Sequence, residues 1–193
     1  MVIELTWTRE RMLAEIGATA GATQLPGLAE PSSIGAFADI EEVLLRTRLH
    51  HPREILGALG SAFLARFRAV PPERLERDLL APIKKALGNA YKRGNRMDLD
   101  KWITLEVAVT RKGAFVEVTD EGAGFDVEAT CARLALGSVY FLHHGSGFRK
   151  FRKTRAIISF ADGGRTFRAC FLLAADGRGD EPKALGSRGE GYA

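Results

Sequence analysis

The run ITLEVAVTRKGAFVEVT, residues 103–119, constrains the fold more than any other part of the chain. Apolar side chains recur at every second position from Ile103 to Thr110 and again from Ala114 to Thr119, with Arg111-Lys112-Gly113 between them. Two half-buried strands joined over so few residues pair antiparallel, and one face of a sheet is thereby set. A second pair follows, AIISF at 156–160 and TFRACFLL at 166–173, meeting at a turn that contains Gly163-Gly164. Upstream the period changes. Leu45 to Leu49 alternates as a strand, and Pro52 opens a helix through Ile55, Leu56, Leu59, Phe63, Leu64 and Phe67. After Pro71-Pro72 a longer helix carries Leu75, Leu79, Ile83, Leu87 and Ala90 along one stripe to about Arg93, bent at Pro82 and ended by Gly94-Asn95. These signals predict an α+β fold of two layers, a mixed and mainly antiparallel sheet with helices on one face.

The chain has 193 residues, enough for one core with additions. Residues 1–44 read as a helical N-terminal extension: a short amphipathic helix from Trp7 to Ile16, a loop from Gly17 to Pro31, and a helix from about Ser33 to Leu45. Such an extension either packs on the core or serves as an arm for a partner or a homodimer. Residues 45–175 form the main domain, with 126–144 a weakly patterned connection. Residues 176–193 are Gly-rich and charged and read as a flexible tail. Net charge is −5, +10 and −1 over these three segments, so the basic surface belongs to the main domain. It suits nucleic acid, a nucleotide polyphosphate or an acidic protein, and charge alone does not choose among them. The few aromatic residues in the basic stretch argue against nucleic acid. No run approaches the ~18 apolar residues of a membrane span, and Glu4 stands where a secretory leader would be basic, which points to a cytoplasmic protein with no membrane partner. Cys131 and Cys170 have no metal-ligand spacing and read as ordinary thiols.

Three motifs carry chemistry. The first is Asp120-Glu-Gly-Ala-Gly-Phe125, directly after a strand. A carboxylate there accepts a hydrogen bond from an exocyclic amino group such as adenine N6, worth ~1.5–3 kcal/mol, whereas guanine presents a carbonyl at that position. Gly122 and Gly124 let the backbone approach a flat ring. The second is Asn89, whose amide oxygen is a neutral ligand suited to Mg²⁺, with Lys85 and Lys92 on the same helical face. The third is His143-His-Gly-Ser-Gly-Phe148 before the basic run 149–153, where backbone N–H groups at Gly145, Ser146 and Gly147 can face phosphate. His143, His144, His50 and His51 read as surface or packing residues.

In order and spacing, a helix Asn, a hairpin ending in DxGxGF, a variable stretch, GxGF and a last hairpin with Gly163-Gly-Arg-Thr166 resemble the GHKL, or Bergerat-fold, ATP-binding superfamily over roughly residues 45–175. The ending GSGFRKFRKTRAIISFADGGRTF is most similar to the anti-sigma factor serine/threonine kinases. The resemblance implies a Bergerat-type sandwich that binds ATP and Mg²⁺. In it Asn89 holds the metal, Asp120 binds adenine N6, and Gly122 and Gly124 shape the adenine pocket. Lys92 lies near phosphate, Gly145, Ser146 and Gly147 lie in the phosphate-facing lid, and Thr166 supports Asp120. It also implies a protein partner, a sigma factor or an antagonist-type regulator.

One position departs from that pattern. The family's general base, a Glu one helical turn before the motif Asn, is Lys85 here. A lysine, with an ordinary pKa near ~10.4, is protonated at neutral pH and takes no proton from a nucleophile. It can pair with phosphate instead. Arg93 stands where the family often has His. Two functions are therefore compatible with the residues: a protein kinase of the anti-sigma factor type, and a non-catalytic ATP-binding module whose nucleotide state switches partner affinity.

Overall fold

The computed structural model describes residues 2–3, 6–19, 23–25, 42–135 and 154–173. In chain order the elements are β1 (Val2–Ile3), α1 (Arg9–Glu15), β2 (Thr23–Leu25), β3 (Val43–Leu49), α2 (Arg53–Arg66), α3 (Pro72–Leu75), α4 (Ala81–Asn89), β4 (Ile103–Val109), β5 (Gly113–Asp120), α5 (Val127–Ala135), β6 (Ile157–Ala161) and β7 (Thr166–Leu172). A π-helical stretch, Glu76–Leu80, runs α3 into α4, and another, Ala90–Gly94, follows α4. The seven strands make one sheet in the order β1-β6-β7-β5-β4-β3-β2. Its five central strands are antiparallel to one another, while β1 and β2 add to the edges in parallel, on β6 and β3.

Strand alternation sorts the side chains into two cores. Leu105, Val107 and Val109 of β4 lie opposite Val118, Val116 and Ala114 of β5 and share a core with Leu59 and Phe63 of α2 and Ile83 and Leu87 of α4. Ala108, Phe115 and Cys170 point the other way, where Met12 and Ile16 cover them. The expectation that all helices lie on one face thus needs correction, because α1 packs on the opposite one. Arg9 of α1 pairs there with the buried Glu106 of β4. Burial, with the nearby Glu15 charge, pushes the Cys170 thiol up to about 12, so it packs as a small apolar group.

The two main helices start and bend for local reasons. Glu54 at the start of α2 accepts the backbone N–H of His50 at 3.2 Å and of His51 at 2.5 Å. Pro82 has no N–H to give the carbonyl four residues back, and that Asp78 carbonyl accepts the Thr154 hydroxyl at 3.1 Å instead. The Asp78 carboxylate, 1% exposed, takes the Arg155 N–H at 2.9 Å and a two-pronged bond from Arg77. Burial alone would raise its pKa, but the Arg77 and Arg155 bonds and the Arg77 and Arg74 charges outweigh that and hold it below the usual carboxylate range.

Several local expectations fail. Val43, Leu44 and Leu45 are strand rather than helix, because each is paired on both sides, with β2 and with β4. Thr23–Leu25 is a strand inside the expected loop. Val127–Ala135 is a helix inside the expected connection, started by Asp126, whose carboxylate caps the Ala129 N–H at 2.8 Å. The helix expected over 33–41, the lid and the tail lie outside the described residues.

Candidate functional site

The end of β5 meets the end of the π-helical stretch after α4 at a contact that only glycine permits. A Cβ on Gly94 would lie 2.2 Å from Cγ of Asp120, and one on Gly122 would lie 2.2 Å from the Gly94 carbonyl oxygen. The strand-end carboxylate is therefore seated directly against the last turn after Asn89. The loop beyond is pinned to the β6–β7 turn. Gly124, at φ +74°, faces the Gly163 carbonyl, which accepts the Phe125 N–H at 2.8 Å, and a Cβ on Gly164 would strike the Phe125 ring at 2.6 Å. Asn95 ties the same region together, its Oδ1 accepting the Glu121 N–H at 2.9 Å and its Nδ2 donating to the Trp102 carbonyl at 3.0 Å.

These contacts frame an open pocket of about 60 Å³. One wall is Ala86, Asn89 and Ala90; another is Val118 and Asp120. Phe125, Phe160 and Phe167 supply aromatic surface, Phe125 meeting Phe160 edge-on at 5.5 Å, and Gly164 with Arg165 closes the rim. Oδ1 of Asp120 accepts the Gly122 N–H at 2.8 Å, and its backbone N–H donates to the Arg165 carbonyl at 3.2 Å. Among the described residues Oδ2 has no hydrogen-bond partner, so one carboxylate acceptor is left in a mostly apolar cleft whose other polar side chains are Asn89 and Arg165. Burial pushes the Asp120 pKa up, and the Gly122 N–H and the charges of Arg165 and Lys101 only partly offset it.

Asn89 and Asp120 thus share a pocket, and Gly122 and Gly124 build its strand-end loop. Thr166 is placed differently: its buried hydroxyl donates to Asp162 at 2.6 Å and lies 2.9 Å from the Thr119 hydroxyl. It braces the strand beside Asp120 and does not line the pocket. Lys92 is exposed on the turn after α4 and is not on the pocket wall. Lys85 sits half-buried on α4, one turn before Asn89. Glu121 is occupied by the Trp102 N–H at 3.1 Å and by Arg48 at 3.4 Å. His50 packs its ring 3.6 Å from that of Trp102, and His51 packs 4.5 Å from Tyr91. Gly145, Ser146, Gly147, His143 and His144 lie outside the described residues.

Sequence reasoning missed Ala86, Ala90, Phe160, Gly164, Arg165 and Phe167. Ala86 and Ala90 were within reach, since a small residue every fourth position beside Asn89 marks the helix face that an inserted ring would touch. Gly164 and Arg165 immediately precede Thr166 in the motif already singled out.

Asn89 offers a metal one neutral oxygen, and its amide has no hydrogen-bond partner among the described residues. No group of three His, Cys, Asp or Glu side chains among those residues is placed to hold a metal ion. A cation in this cleft would thus take most of its ligands from a bound anion and water. No described helix is long and apolar enough to cross a membrane. Comparison with protein-family models and with curated proteins finds no match to this chain.

Proposed function

We propose that the chain binds ATP with Mg²⁺ in the pocket between α4 and the end of β5, and acts as a regulator of the anti-sigma factor kinase type that holds a protein partner. The observation that carries the reading is the meeting of Asn89 and Asp120, from separate motifs, in one cleft with apolar and aromatic walls. Asp120 Oδ2 is left to accept adenine N6–H, while Ala86, Ala90, Val118 and Phe125 give the ring flat surface. Asn89 would bind the metal that arrives on the phosphates. The cleft is open, and Phe125, 37% exposed, forms its solvent-side wall.

A second reading, the non-catalytic ATP-binding module, is favoured by one position. Lys85 holds the place of the base, and Glu121, the nearest carboxylate in sequence to Asp120, is committed to Arg48 and Trp102. Nucleotide would then act by binding two conformations unequally and changing affinity for the partner. The test is calorimetric titration with ATP, ADP and GTP, with and without Mg²⁺. Micromolar ATP binding that is Mg²⁺-dependent and at least tenfold tighter than GTP supports the pocket assignment. Absence of heat with either adenine nucleotide refutes it.

A further inference from the structure

A second and larger depression opens at the far end of the sheet. Gly113 and Asp120 begin and end β5, so seven steps of ~3.3 Å put this region about 23 Å from the pocket above. The groove, about 750 Å³, runs between the α2–α3 turn and the β4–β5 hairpin. Among the described residues Arg66, Arg68, Arg74, Arg111 and Lys112 line it with one carboxylate, Glu15, and of these cations Arg74 also lies 4.0 Å from Asp78. Between the cations the lining is apolar, from Phe67, Val70, Leu172 and Leu173. The side of the groove is firm: Arg74 donates to the Leu172 carbonyl at 3.4 Å and lies over the Phe171 ring at 5.7 Å. Its Nε is buried without a hydrogen-bond partner among the described residues, 4.0 Å from Oδ2 of Asp78.

We propose that this groove docks an acidic segment of a partner protein that also carries aliphatic side chains. The charge balance selects an anionic occupant, because cations of one sign around a concave surface focus their field on it. The apolar lining selects against a bare polyanion, which would leave that surface wet. Nucleic acid fits less well, since single strands stack on exposed aromatic faces and Phe67 is only 4% exposed. A peptide alternating carboxylates with leucine-like side chains satisfies both features at once. The proposal stands independently of ATP binding.

The test is fluorescence anisotropy on the full chain at about 150 mM salt, where exposed charges are screened beyond ~8 Å. The probe is a fluorescein-labelled peptide of alternating Glu and Leu, compared with a Glu-and-Gly peptide of equal charge and with oligothymidylate. Saturable binding is expected, at least tenfold weaker for the Glu-and-Gly peptide. The double variant Arg68→Glu, Lys112→Glu changes two exposed side chains, so melting should not move while the probe's affinity falls tenfold or more. Absence of saturable binding, equal affinity for the Glu-and-Gly peptide, or indifference to the charge reversals overturns the proposal. Tighter binding of oligothymidylate would make the groove a nucleic-acid surface. A full-length variant with Asp176→Asn, Asp180→Asn and Glu181→Gln should bind the probe unchanged. Tenfold tighter binding by it would assign the groove to the chain's own C-terminal segment and overturn the partner assignment.

Discussion

Replacing Asp120 with Asn keeps the shape of the side chain and an acceptor for the Gly122 N–H, 2.8 Å away, while removing the negative charge. Two consequences of opposite sign follow. For ligand, the charged acceptor of the adenine amine is lost, and a hydrogen bond to a charged group is worth ~1.5–3 kcal/mol, so ATP should bind about 10- to 150-fold more weakly. For the fold, burial has raised the Asp120 pKa above its ordinary 3.8. A carboxyl so shifted costs stability at every pH above its folded value and nothing below 3.8, where both folded and unfolded chains carry the proton. The ligand-free Asn variant should therefore melt at or above the wild-type temperature at pH 7, and the difference should shrink as pH falls toward 4. The assay pairs ATP calorimetry with thermal melts of both proteins in the same buffers. An ATP affinity within twofold of wild type would remove Asp120 from adenine recognition. A variant that melts several degrees lower would make the carboxylate a structural group and overturn the placement of its cost.

Under the proposed function, Lys85→Glu places a carboxylate one turn before Asn89; positioned general bases contribute ~10²–10⁴-fold, so phosphate release from ATP should rise by ~10²-fold or more. An unchanged rate with intact ATP binding would show that a carboxylate at this position does not suffice for turnover. Asp78→Ala leaves the Arg155 N–H without its acceptor, while Arg77, 42% exposed, stays solvated, and should cost about 1–3 kcal/mol in urea unfolding at pH 7. Because the folded pKa of Asp78 is depressed, its contribution is present above 3.8 and lost as pH falls through the folded value, so the gap between the two proteins should close in acid.

The central hairpin and the two long helices were legible because their patterns are long and agree with their packing. The failures occur where a partner strand decides. Val43 and Leu44 continue the i, i+3, i+4 spacing of Ile34, Phe37 and Ile40, yet their pairing with Val109 and Ala108 makes them strand. β1 and β2, with two and three residues, are too short to show any period. The second core was hidden for a related reason: Ala108, Phe115 and Cys170 stand in the alternate positions that a one-sided sheet would give to polar residues. At the candidate site, Asn89 and Asp120 were singled out by residue type, and the structure places both on one cleft. The pocket walls were less legible, because alanine and phenylalanine look alike in a core and in a binding cleft. The interlock of Gly94 with Asp120 and Gly122 is a matter of ångström-scale contact that no periodicity encodes.

The edge strands also set an order of events during synthesis. β1 pairs in parallel with Ile157 and Ile158, so Val2 and Ile3 find their partners only after some 155 further residues have been made. At 5–20 residues per second that is roughly 8–30 s, during which the early segment has no edge to join. β2 has a nearer partner in β3, but β3 itself is completed by β4, so this edge too is finished from the inside outward. β1 can join the sheet only after β6 has been made. Until then the β1 segment lacks the partner it has in the folded sheet, and an unpaired strand segment is where one chain associates with another.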